Sequence, residues 1–372
     1  MKKILYTATV ASHICQFHLP YFKMLQEMGY EVHVAAHDNL AEKNGLALKY
    51  VDKFFEVPFR RSPFSPKNLK AKKQLKRIID SEGYDIIVCN TPVGGIMTRL
   101  AAKGARRLGT RVIYIAHGFH FYKGASKKNW LIYYPIEKHF AKKCDTVVTI
   151  TGEDYALASR KFKCEVRRIH GVGVDGQRHT PISDGQKHEI RGELGVKDGE
   201  FICLCTGELN ENKNQARLIR LVPEIRKRIP GFRLWLAGNG PTREQLEDET
   251  RTLGVSDAVT LLGYRPDIEK YVRACDIVAS VSRREGLPFN IVEAQLTRRP
   301  VVVSINRGHR ELVENGVNGF ITNDDNEIIE SICRLYTDKE LYSCVADKAC
   351  AYAQSYTAES VKRELFDILF KK

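Results

Sequence analysis

A chain of 372 residues is long enough for two domains, since one domain usually takes about 100–200 residues. Apolar residues make up 43% of it and charged residues 28%, which excludes disordered, collagen-like and disulfide-scaffold proteins. The 59 Lys and Arg outnumber the 45 Asp and Glu by 14. Residues 1–168 carry 30 basic and 14 acidic side chains, whereas residues 169–372 carry 29 and 31. The first half therefore predicts an anionic partner, either a membrane surface or a nucleic acid.

The sequence lacks the patterns that are typical of a membrane-spanning segment or of a signal peptide. No apolar run reaches the roughly 18–20 residues that cross a bilayer, and the first residues lack the apolar region and cleavage site of a signal peptide. The ten cysteines are scattered without a C-x-x-C pair, which is typical of free thiols. We therefore expect a cytoplasmic protein.

Histidines lie close together at two places, His13 with His18 around Cys15, and His117 with His120. Either group lacks the four ligands of a structural zinc site, so we expect no metal. The chain also contains no D-x-D motif. A bound nucleoside diphosphate would therefore be neutralised by protein groups rather than through a divalent ion.

Short apolar runs alternate with segments of helical periodicity in the first half of the chain. The strand-like runs are 3–6, 31–35, 85–89, 111–116 and 146–150. The helical segments lie around 20–28, 67–82, 92–108, 128–143 and 152–161. A β-α-β series of this kind predicts a parallel sheet with helices on both faces.

The same alternation starts again in the second half. Strands are predicted at 201–205, 233–237, 259–261, 276–279 and 300–303. Helices are predicted near 212–228, 241–253, 266–273, 288–298 and 324–354. The predicted fold class is therefore α/β, with two Rossmann-like, doubly wound parallel-sheet domains.

The two series are joined within residues 165–200, where the segment 179–197 resembles a linker and loop region. A G-x-G-x-x-G pattern at 171–176 is followed by Gln-Arg-His-Thr-Pro, which does not start a helix. We interpret these glycines as a turn between domains rather than as a dinucleotide site. The predicted domains are 1–168 and 169–355, with a C-terminal helix at about 356–372 that packs back on the first.

Aromatic residues and arginines precede a basic helix in the first domain. The run 57–66 reads Val-Pro-Phe-Arg-Arg-Ser-Pro-Phe-Ser-Pro, and the helix after it is rich in lysine. This arrangement favours contact with lipid headgroups. An ordinary solvated helix is the alternative, and a nucleic-acid platform has no recognisable module around it. The predicted membrane patch consists of Phe59, Arg60, Arg61, Phe64, Lys72 and Lys73.

The segment 280–319 contains the densest group of candidate site residues. A strand is followed by Glu285-Gly286-Leu287-Pro288, and Pro288 falls near the first helical turn, where proline is tolerated. A helix N-terminus then lies at the carboxyl edge of a parallel sheet, which is where diphosphates bind. Glu293 lies more than a turn inside that helix, so the two carboxylates can reach different parts of one extended ligand.

Glu285 and Glu293 form an E-x7-E pattern, with Glu-Gly-Leu-Pro at its start and Gly-x-x-Gly-Phe after it. The segment resembles the retaining GT-B glycosyltransferases of sequence family 4. The resemblance covers nearly the whole chain, with matching segments at 17–21, 116–119, 171–175, 206–209, 213–214, 237–240 and 262–264. Within that family the chain is similar to bacterial enzymes of capsule and exopolysaccharide assembly, which share Ala-His-Gly-Phe-His-Phe-Tyr-Lys-Gly.

The resemblance implies roles for individual residues. Glu285 would hydrogen-bond the donor hexose, Lys213 would neutralise the diphosphate, and His117 would contact the transferred sugar; these are the expected catalytic residues. Glu293 would take the ribose hydroxyls, and the segment 263–265 would line the base. The expected donor site comprises Gly207, Asn212, Gly238, Gly263, Tyr264, Arg265, Gly286, Leu287, Pro288 and Glu293.

Two segments depart from the family pattern. Glu208 stands where many members have a phosphate-binding arginine, and Thr-Ala-Thr-Val-Ala-Ser at 7–12 replaces the usual Gly-Gly loop. The phosphate contacts that these features supply would have to come from other groups. The candidates for phosphate or acceptor contact are Ser12, His13, His18, Arg283 and Arg284.

The resemblance implies a metal-independent, retaining transfer of a hexose or N-acetylhexosamine from a UDP-sugar. The acceptor would be an undecaprenyl-diphosphate-linked saccharide at the inner face of the cell membrane, and other polysaccharide-assembly proteins are further candidate partners. Three alternatives remain at this point: a GT-B epimerase acting on UDP-N-acetylglucosamine, an inactive membrane-docked protein that binds sugar nucleotides, and a nucleic-acid binder. We expect no nucleic-acid partner.

Overall fold

The computed structural model describes residues 2–42, 46–63 and 65–371. The chain forms two compact units, Met1–Gly173 with Ala358–Lys372, and Val174–Thr357. The junction thus lies at Gly173 rather than at 168, and the C-terminal segment from Ala358 belongs to the first unit. Among the described residues, no helix combines the length and the apolar content that crossing a bilayer demands.

A seven-stranded parallel sheet forms the centre of the first unit, in the order β3-β2-β1-β4-β5-β6-β7. Its strands are β1 (Lys2–Val10), β2 (Tyr30–His37), β3 (Lys53–Glu56), β4 (Ile86–Asn90), β5 (Arg111–Ala116), β6 (Thr146–Thr149) and β7 (Glu165–Arg168). The helices are α1 (Ala11–Phe17), α2 (Leu19–Glu27), α3 (Lys67–Glu82), α4 (Pro92–Ala101), α5 (Lys103–Arg107), α6 (Lys127–Ala141) and α7 (Gly152–Lys161). The predicted strands did not include the edge strands β3 and β7, because charged residues interrupt their apolar pattern.

A six-stranded parallel sheet forms the second unit, in the order β10-β9-β8-β11-β12-β13. Its strands are β8 (Phe201–Thr206), β9 (Phe232–Ala237), β10 (Val259–Gly263), β11 (Ile277–Ser280), β12 (Val301–Ser304) and β13 (Phe320–Thr322). The helices are α8 (Asp184–Glu193), α9 (Gln215–Arg228), α10 (Arg243–Thr252), α11 (Ile268–Ala274), α12 (Phe289–Leu296), α13 (Arg307–Leu312), α14 (Asp325–Thr337) and α15 (Lys339–Ala353). The two doubly wound sheets confirm the predicted fold class.

Helix α8 lies inside the segment that was predicted to be a linker and loop, so that prediction is wrong. The Ser183 hydroxyl accepts a hydrogen bond from the backbone N–H of Gln186, whose side chain accepts one from the backbone N–H of Ser183. This reciprocal capping box stabilises the first turn. Its Ser-x-x-Gln signature was present in the sequence, although glycines and mixed charge obscured it.

The last helix, α16 (Ala358–Phe370), belongs to the first unit. Arg111, at the start of β5, donates to the carbonyl of Leu369 at 3.0 Å, and the Glu364 carboxylate lies 2.6 Å from the His170 ring. Gly173 has a φ of +80°, and a Cβ added there would lie 2.6 Å from the Cα of Ala358. Only glycine permits this approach of the chain to the start of α16.

Part of the predicted membrane patch lies in the protein interior. Phe59 is fully buried in the core of the first unit, so its assignment to a membrane surface is wrong. Phe59 follows the end of β3 by three residues, and it belongs to the same buried cluster as Leu5 and Ala35 of the sheet. Phe64 lies outside the described residues. Arg61 and Lys73 are exposed, while Arg60 and Lys72 are partly exposed.

Candidate active site

Three glycines lie together at the carboxyl edge of the second sheet, at the ends of β8, β9 and β10. The backbone N–H of Gly207 donates to Ala237, and that of Gly238 donates to Gly263, at 2.9 and 2.8 Å. Gly238 has a φ of +148°, and a Cβ added there would lie 1.9 Å from the carbonyl oxygen of Gly207. Glycine is therefore required for the close packing of these loops.

Lys213 and Glu285 meet beside the glycine loops. The Nζ of Lys213 lies 2.6 Å from Oε1 of Glu285, and both side chains are largely buried, with exposures of 23% and 12%. The Asn210 side chain accepts from the backbone N–H of Lys213 at 2.9 Å, which fixes the loop before α9. Two residues predicted to be catalytic, from distant parts of the sequence, are thus brought into one ion pair.

Arginines adjoin the same loop. The backbone N–H of Arg283 donates to the Asn212 carbonyl at 2.8 Å, and the Asn212 amide donates to the carbonyl of Arg284 at 3.0 Å. Both arginine side chains line a cavity of about 700 Å³. Glu208, which stands where the family has an arginine, is exposed and accepts from the Asn210 amide at 3.0 Å. Arg283 and Arg284 are therefore positioned to supply cationic charge near this loop.

Glu293 lies in the middle of α12, the helix that begins just after Pro288. Burial raises the pKa of its carboxyl group, and the nearby Arg178 guanidinium opposes that shift. Oε1 lies 3.8 Å from the His179 ring. A carboxylate that is partly desolvated and whose described ion-pair partner is a histidine at 3.8 Å is a strong acceptor for ligand hydroxyls.

The residues of the segment 263–265 differ in their exposure to solvent. Gly263 packs against the β9 loop, whereas the Tyr264 side chain is 72% exposed. The backbone N–H of Tyr264 donates to the Asn239 side chain at 3.1 Å. The Arg265 guanidinium lies over the Tyr271 ring, 5.0 Å from its centre. Main-chain groups of this segment are therefore better placed than the Tyr264 ring to line a ligand.

Sequence reasoning missed several residues that support the predicted ones. Buried His309 lies 3.0 Å from the Ser280 hydroxyl, and the preceding Gly308 packs so closely that an added Cβ would lie 2.7 Å from the Cβ of Glu285. The Asn290 amide donates to the Thr206 carbonyl at 3.2 Å, which ties α12 to the end of β8. No motif marked His309 or Asn290, so only the fold reveals them.

In the first unit, the predicted His13, His18 and His117 come together near the end of β5. Nε2 of His13 lies 3.2 Å from Nε2 of His117, which is also 3.1 Å from the Asn90 side-chain oxygen. Burial lowers the pKa of His13 to about 4 and the pKa values of His18 and His117 well below the usual range. All three rings are therefore neutral at pH 7.

Two of the predicted phosphate or acceptor contacts in the first unit are already engaged or buried. The backbone N–H of Ser12 donates to the Asn39 side chain at 3.0 Å, and its hydroxyl accepts from the same amide at 2.9 Å. His18 is only 1% exposed, so direct contact with an acceptor does not fit its position. His13 is half-buried and lines a cavity of about 380 Å³.

Comparison with known proteins identifies the family. Residues 22–173 match the family described as Glycosyltransferase Family 4, and residues 186–350 match Glycosyl transferases group 1. EpsD of Bacillus subtilis (strain 168), which is named as a glycosyltransferase, is 41% identical over 99% of this chain and 96% of its own length. This chain belongs to the GT-B glycosyltransferases.

Further relatives of this glycosyltransferase are more distant. The UDP-Gal:alpha-D-GlcNAc-diphosphoundecaprenol alpha-1,3-galactosyltransferase of Escherichia coli is 29% identical over 81% of this chain and 80% of its own length. The crystal structure of Anabaena HepE in complex with UDP has a TM-score of 0.79, with 23% identity over 99% of both chains. That likeness shows the fold of the glycosyltransferase.

Proposed function

We propose that this glycosyltransferase moves a hexose or N-acetylhexosamine from a UDP-sugar to an undecaprenyl-diphosphate-linked saccharide, with retention and without a metal ion. The observation that carries the proposal is the pairing of Lys213 with Glu285 beside the three glycine loops, at the carboxyl edge of a parallel sheet. The name of the Escherichia coli relative supports a UDP-sugar donor and a diphosphoundecaprenol-linked acceptor. The HepE complex with UDP supports the same nucleotide.

Lys213 supplies the charge that the diphosphate needs. Its ammonium group is held by Glu285 at 2.6 Å, so it is preorganised at the mouth of the glycine loops. As the bond between sugar and phosphate breaks, negative charge grows on the leaving diphosphate. The ammonium group of Lys213 and the N-terminus of α12 stabilise that charge. This arrangement removes the need for a divalent ion.

The pair of Lys213 and Glu285 favours retention through attack on the front face of the sugar. In that scheme the acceptor hydroxyl gives its proton to the leaving phosphate, and His117 contacts the transferred sugar. Glu285 hydrogen-bonds the donor sugar. A covalent route through Glu285 is less favourable, because an ion-paired carboxylate is a weaker nucleophile than a free one.

Glu293 is suited to the ribose of the nucleotide. Its position more than a turn inside α12 separates it from Glu285, which precedes the same helix. A carboxylate at that depth accepts hydrogen bonds from two neighbouring hydroxyls. The two glutamates then hold opposite ends of one UDP-sugar.

An exposed face of α6 supports action at the inner face of the cell membrane. Leu131, Ile132 and Ile136 are 77%, 42% and 37% exposed, and at about 100° per residue they fall within an arc of about 140° on the helix surface. Lys128 precedes this apolar band on the same face and Lys142 follows it, both exposed. We call this surface the α6 face. An apolar band with cations at both ends suits the headgroup region of anionic lipids.

The α6 face is a different membrane contact from the patch predicted around Phe59. The fully buried Phe59 cannot contribute, whereas exposed Arg61 and Lys73 can add attraction to anionic lipid. We propose that the enzyme works peripherally on the cytoplasmic side, in capsule or exopolysaccharide synthesis. Other polysaccharide-assembly proteins are candidate partners there.

The test uses the full chain and a panel of UDP-, GDP- and dTDP-sugars. A donor raises the melting temperature by binding only the folded state. The stabilising sugar is then incubated with a synthetic lipid-diphosphate-linked N-acetylglucosamine, and the product anomer is read by NMR. A retained α-linkage from a UDP-sugar supports the proposal. An inverted product, or a GDP- or dTDP-sugar as the preferred donor, contradicts it.

A control reaction omits the acceptor. If UDP-N-acetylglucosamine alone is converted to a different sugar nucleotide, the enzyme is an epimerase and the proposed transfer is wrong. A parallel reaction in a chelator such as EDTA tests metal independence. Full activity after removal of divalent ions is expected, because Lys213 and the α12 N-terminus carry the charge of the diphosphate.

A further inference from the structure

Three histidines from separate segments of the first unit share one small volume. His13 lies on α1, His18 lies between α1 and α2, and His117 follows β5. Ring nitrogens of the three lie within 4.8 Å of one another. The sequence indicated two separate histidine groups, because His117 is far from the other two along the chain.

The distances fit coordination of a metal ion. Zinc binds histidine nitrogen at about 2.0–2.1 Å, so two nitrogens in a tetrahedral site lie about 3.3–3.4 Å apart. The 3.2 Å between Nε2 of His13 and Nε2 of His117 matches that spacing. The nitrogens of His18 lie within 4.8 Å of the other two, so the ring must move closer for all three to bind one ion.

His18 gives an independent reason to expect a ligand. The residue is 1% exposed, and neither ring nitrogen has a hydrogen-bond partner of good geometry among the described residues, although the Asn90 side chain lies near enough to oppose the lowering of its pKa. Buried polar groups in proteins nearly always have a partner. The ring contacts those of His13 and His117 at centroid distances of 5.6 and 5.8 Å, so it adjoins the other two.

The surroundings offer an entry path and one contact that a bound ion would have to displace. His13 lines the cavity of about 380 Å³ together with Ser12 and Thr91, so water has a route to the cluster. The Asn90 amide donates to the Thr7 carbonyl at 3.2 Å, which turns its oxygen towards Nε2 of His117. This contact is on the same nitrogen that lies 3.2 Å from His13, and a metal-bound Nε2 carries no proton to donate, so an ion that binds there must displace the Asn90 oxygen.

We propose that His13, His18 and His117 bind one divalent ion of the zinc class, with water from the cavity as the fourth ligand. Three imidazoles without a carboxylate favour zinc, cobalt, nickel or copper over magnesium or calcium. The ion is not needed for transfer. It withdraws His117 from the sugar and so inhibits the enzyme, a consequence that rests on the role of His117 in the proposed function.

Cobalt(II) titration of the full chain, freed of any affinity tag, tests the site itself. We expect visible d–d absorption that saturates at one equivalent and is displaced by zinc. His13→Ala and His18→Ala should each weaken binding by more than about 100-fold, since the loss of a contact outside the ligands alone costs about 10–100-fold. His188→Ala, on exposed α8, is the matched control and should bind normally.

Folding is checked separately by far-UV circular dichroism. His13 is half-buried, so His13→Ala keeps the test valid if His18→Ala does not fold. No visible absorption, or equal affinity in wild type and His13→Ala, would overturn the site and leave the proposed transfer standing.

The inhibitory role has its own readout. One equivalent of zinc should suppress sugar transfer by the wild type, and the inhibition constant should rise at least about 100-fold in His13→Ala relative to that variant's own basal rate. Cobalt binding with no loss of transfer would overturn the inhibitory role and the sugar contact of His117 while leaving the metal site intact. Absence of transfer in the metal-free wild type would instead contradict the proposed function.

Discussion

Nζ of Lys213 lies 2.6 Å from Oε1 of Glu285, so the cation and the carboxylate of the candidate donor site neutralise each other in the free enzyme. A diphosphate that binds Lys213 must compete with this carboxylate. The pair therefore couples recognition of the phosphates to recognition of the sugar. Substitution of Lys213 should weaken nucleotide affinity, whereas substitution of Glu285 should not.

Lys213→Ala should weaken binding of UDP. A hydrogen bond to a charged group contributes about 1.5–3 kcal/mol, so the dissociation constant should rise roughly 10–100-fold. Isothermal titration calorimetry measures this change. Lys227→Ala is the control, because Lys227 is an exposed lysine of the same unit that pairs with Glu224 on its own helix. An unchanged affinity in Lys213→Ala would show that the diphosphate is held elsewhere.

Glu285→Gln should lower turnover by about 100-fold or more, since it removes a charged contact to the reacting sugar. It also releases Lys213 from its ion pair, so the affinity for UDP alone should stay the same or increase. Steady-state kinetics and calorimetry measure the two effects. Near-normal turnover would remove Glu285 from the sugar site, and weaker UDP binding would contradict the competition between carboxylate and diphosphate.

The sequence predicted those parts of the site that lie in motifs. The spacing of Glu285 and Glu293 and the glycines after the strands marked the donor loops, because turns and helix starts follow local rules. His309 and Asn90 carry no local signal, and their positions follow only from packing. For Phe59 a local pattern gave a wrong prediction. An aromatic residue among arginines is predicted to be exposed, but the tertiary fold buries it.

Binding of UDP should depend on pH through Glu293. Burial raises the pKa of this carboxyl above the ordinary value of 4.5, so protonation begins at a higher pH than in a solvated glutamate. The ribose hydroxyls bind the ionised form best. Affinity should therefore fall as pH decreases from 7 towards 5, and calorimetry over this range measures the fall. In Glu293→Gln the affinity should be weaker at pH 7, and this pH dependence should be lost.

The same shift affects the stability of the ligand-free protein. Because the folded state holds the proton more tightly than the unfolded state, Glu293 costs stability above the raised pKa and the cost disappears as pH falls below it. Glu293→Gln should therefore raise the melting temperature at pH 7 and have a smaller effect at pH 5. A lower melting temperature at pH 7 would show that the carboxylate makes stabilising contacts in the free enzyme.

Gly238→Ala should damage the donor loops. The added methyl would lie 1.9 Å from the carbonyl oxygen of Gly207, and the φ of +148° disfavours any side chain. We expect a loss of about 2–4 kcal/mol in the stability of the second unit and a weaker affinity for UDP. Gly192→Ala is the control, since a Cβ there meets nothing within 4 Å. Equal melting temperatures for the two variants would contradict the predicted collision.

Leu131→Ser combined with Ile136→Ser should weaken membrane binding through the α6 face. Full burial of such a side chain contributes about 1.5–3 kcal/mol, so even partial insertion of both should make partitioning into vesicles at least about tenfold weaker. Co-sedimentation with phosphatidylglycerol-containing vesicles measures this loss. Leu253→Ser, at a site 37% exposed in the second unit, is the control. Because the α6 face belongs to the first unit and the donor loops to the second, UDP affinity should not change. Unaltered vesicle binding in the double variant would indicate that the basic surface around Arg61 and Lys73 makes the membrane contact instead. Removal of those charges, or added salt, would then abolish vesicle binding.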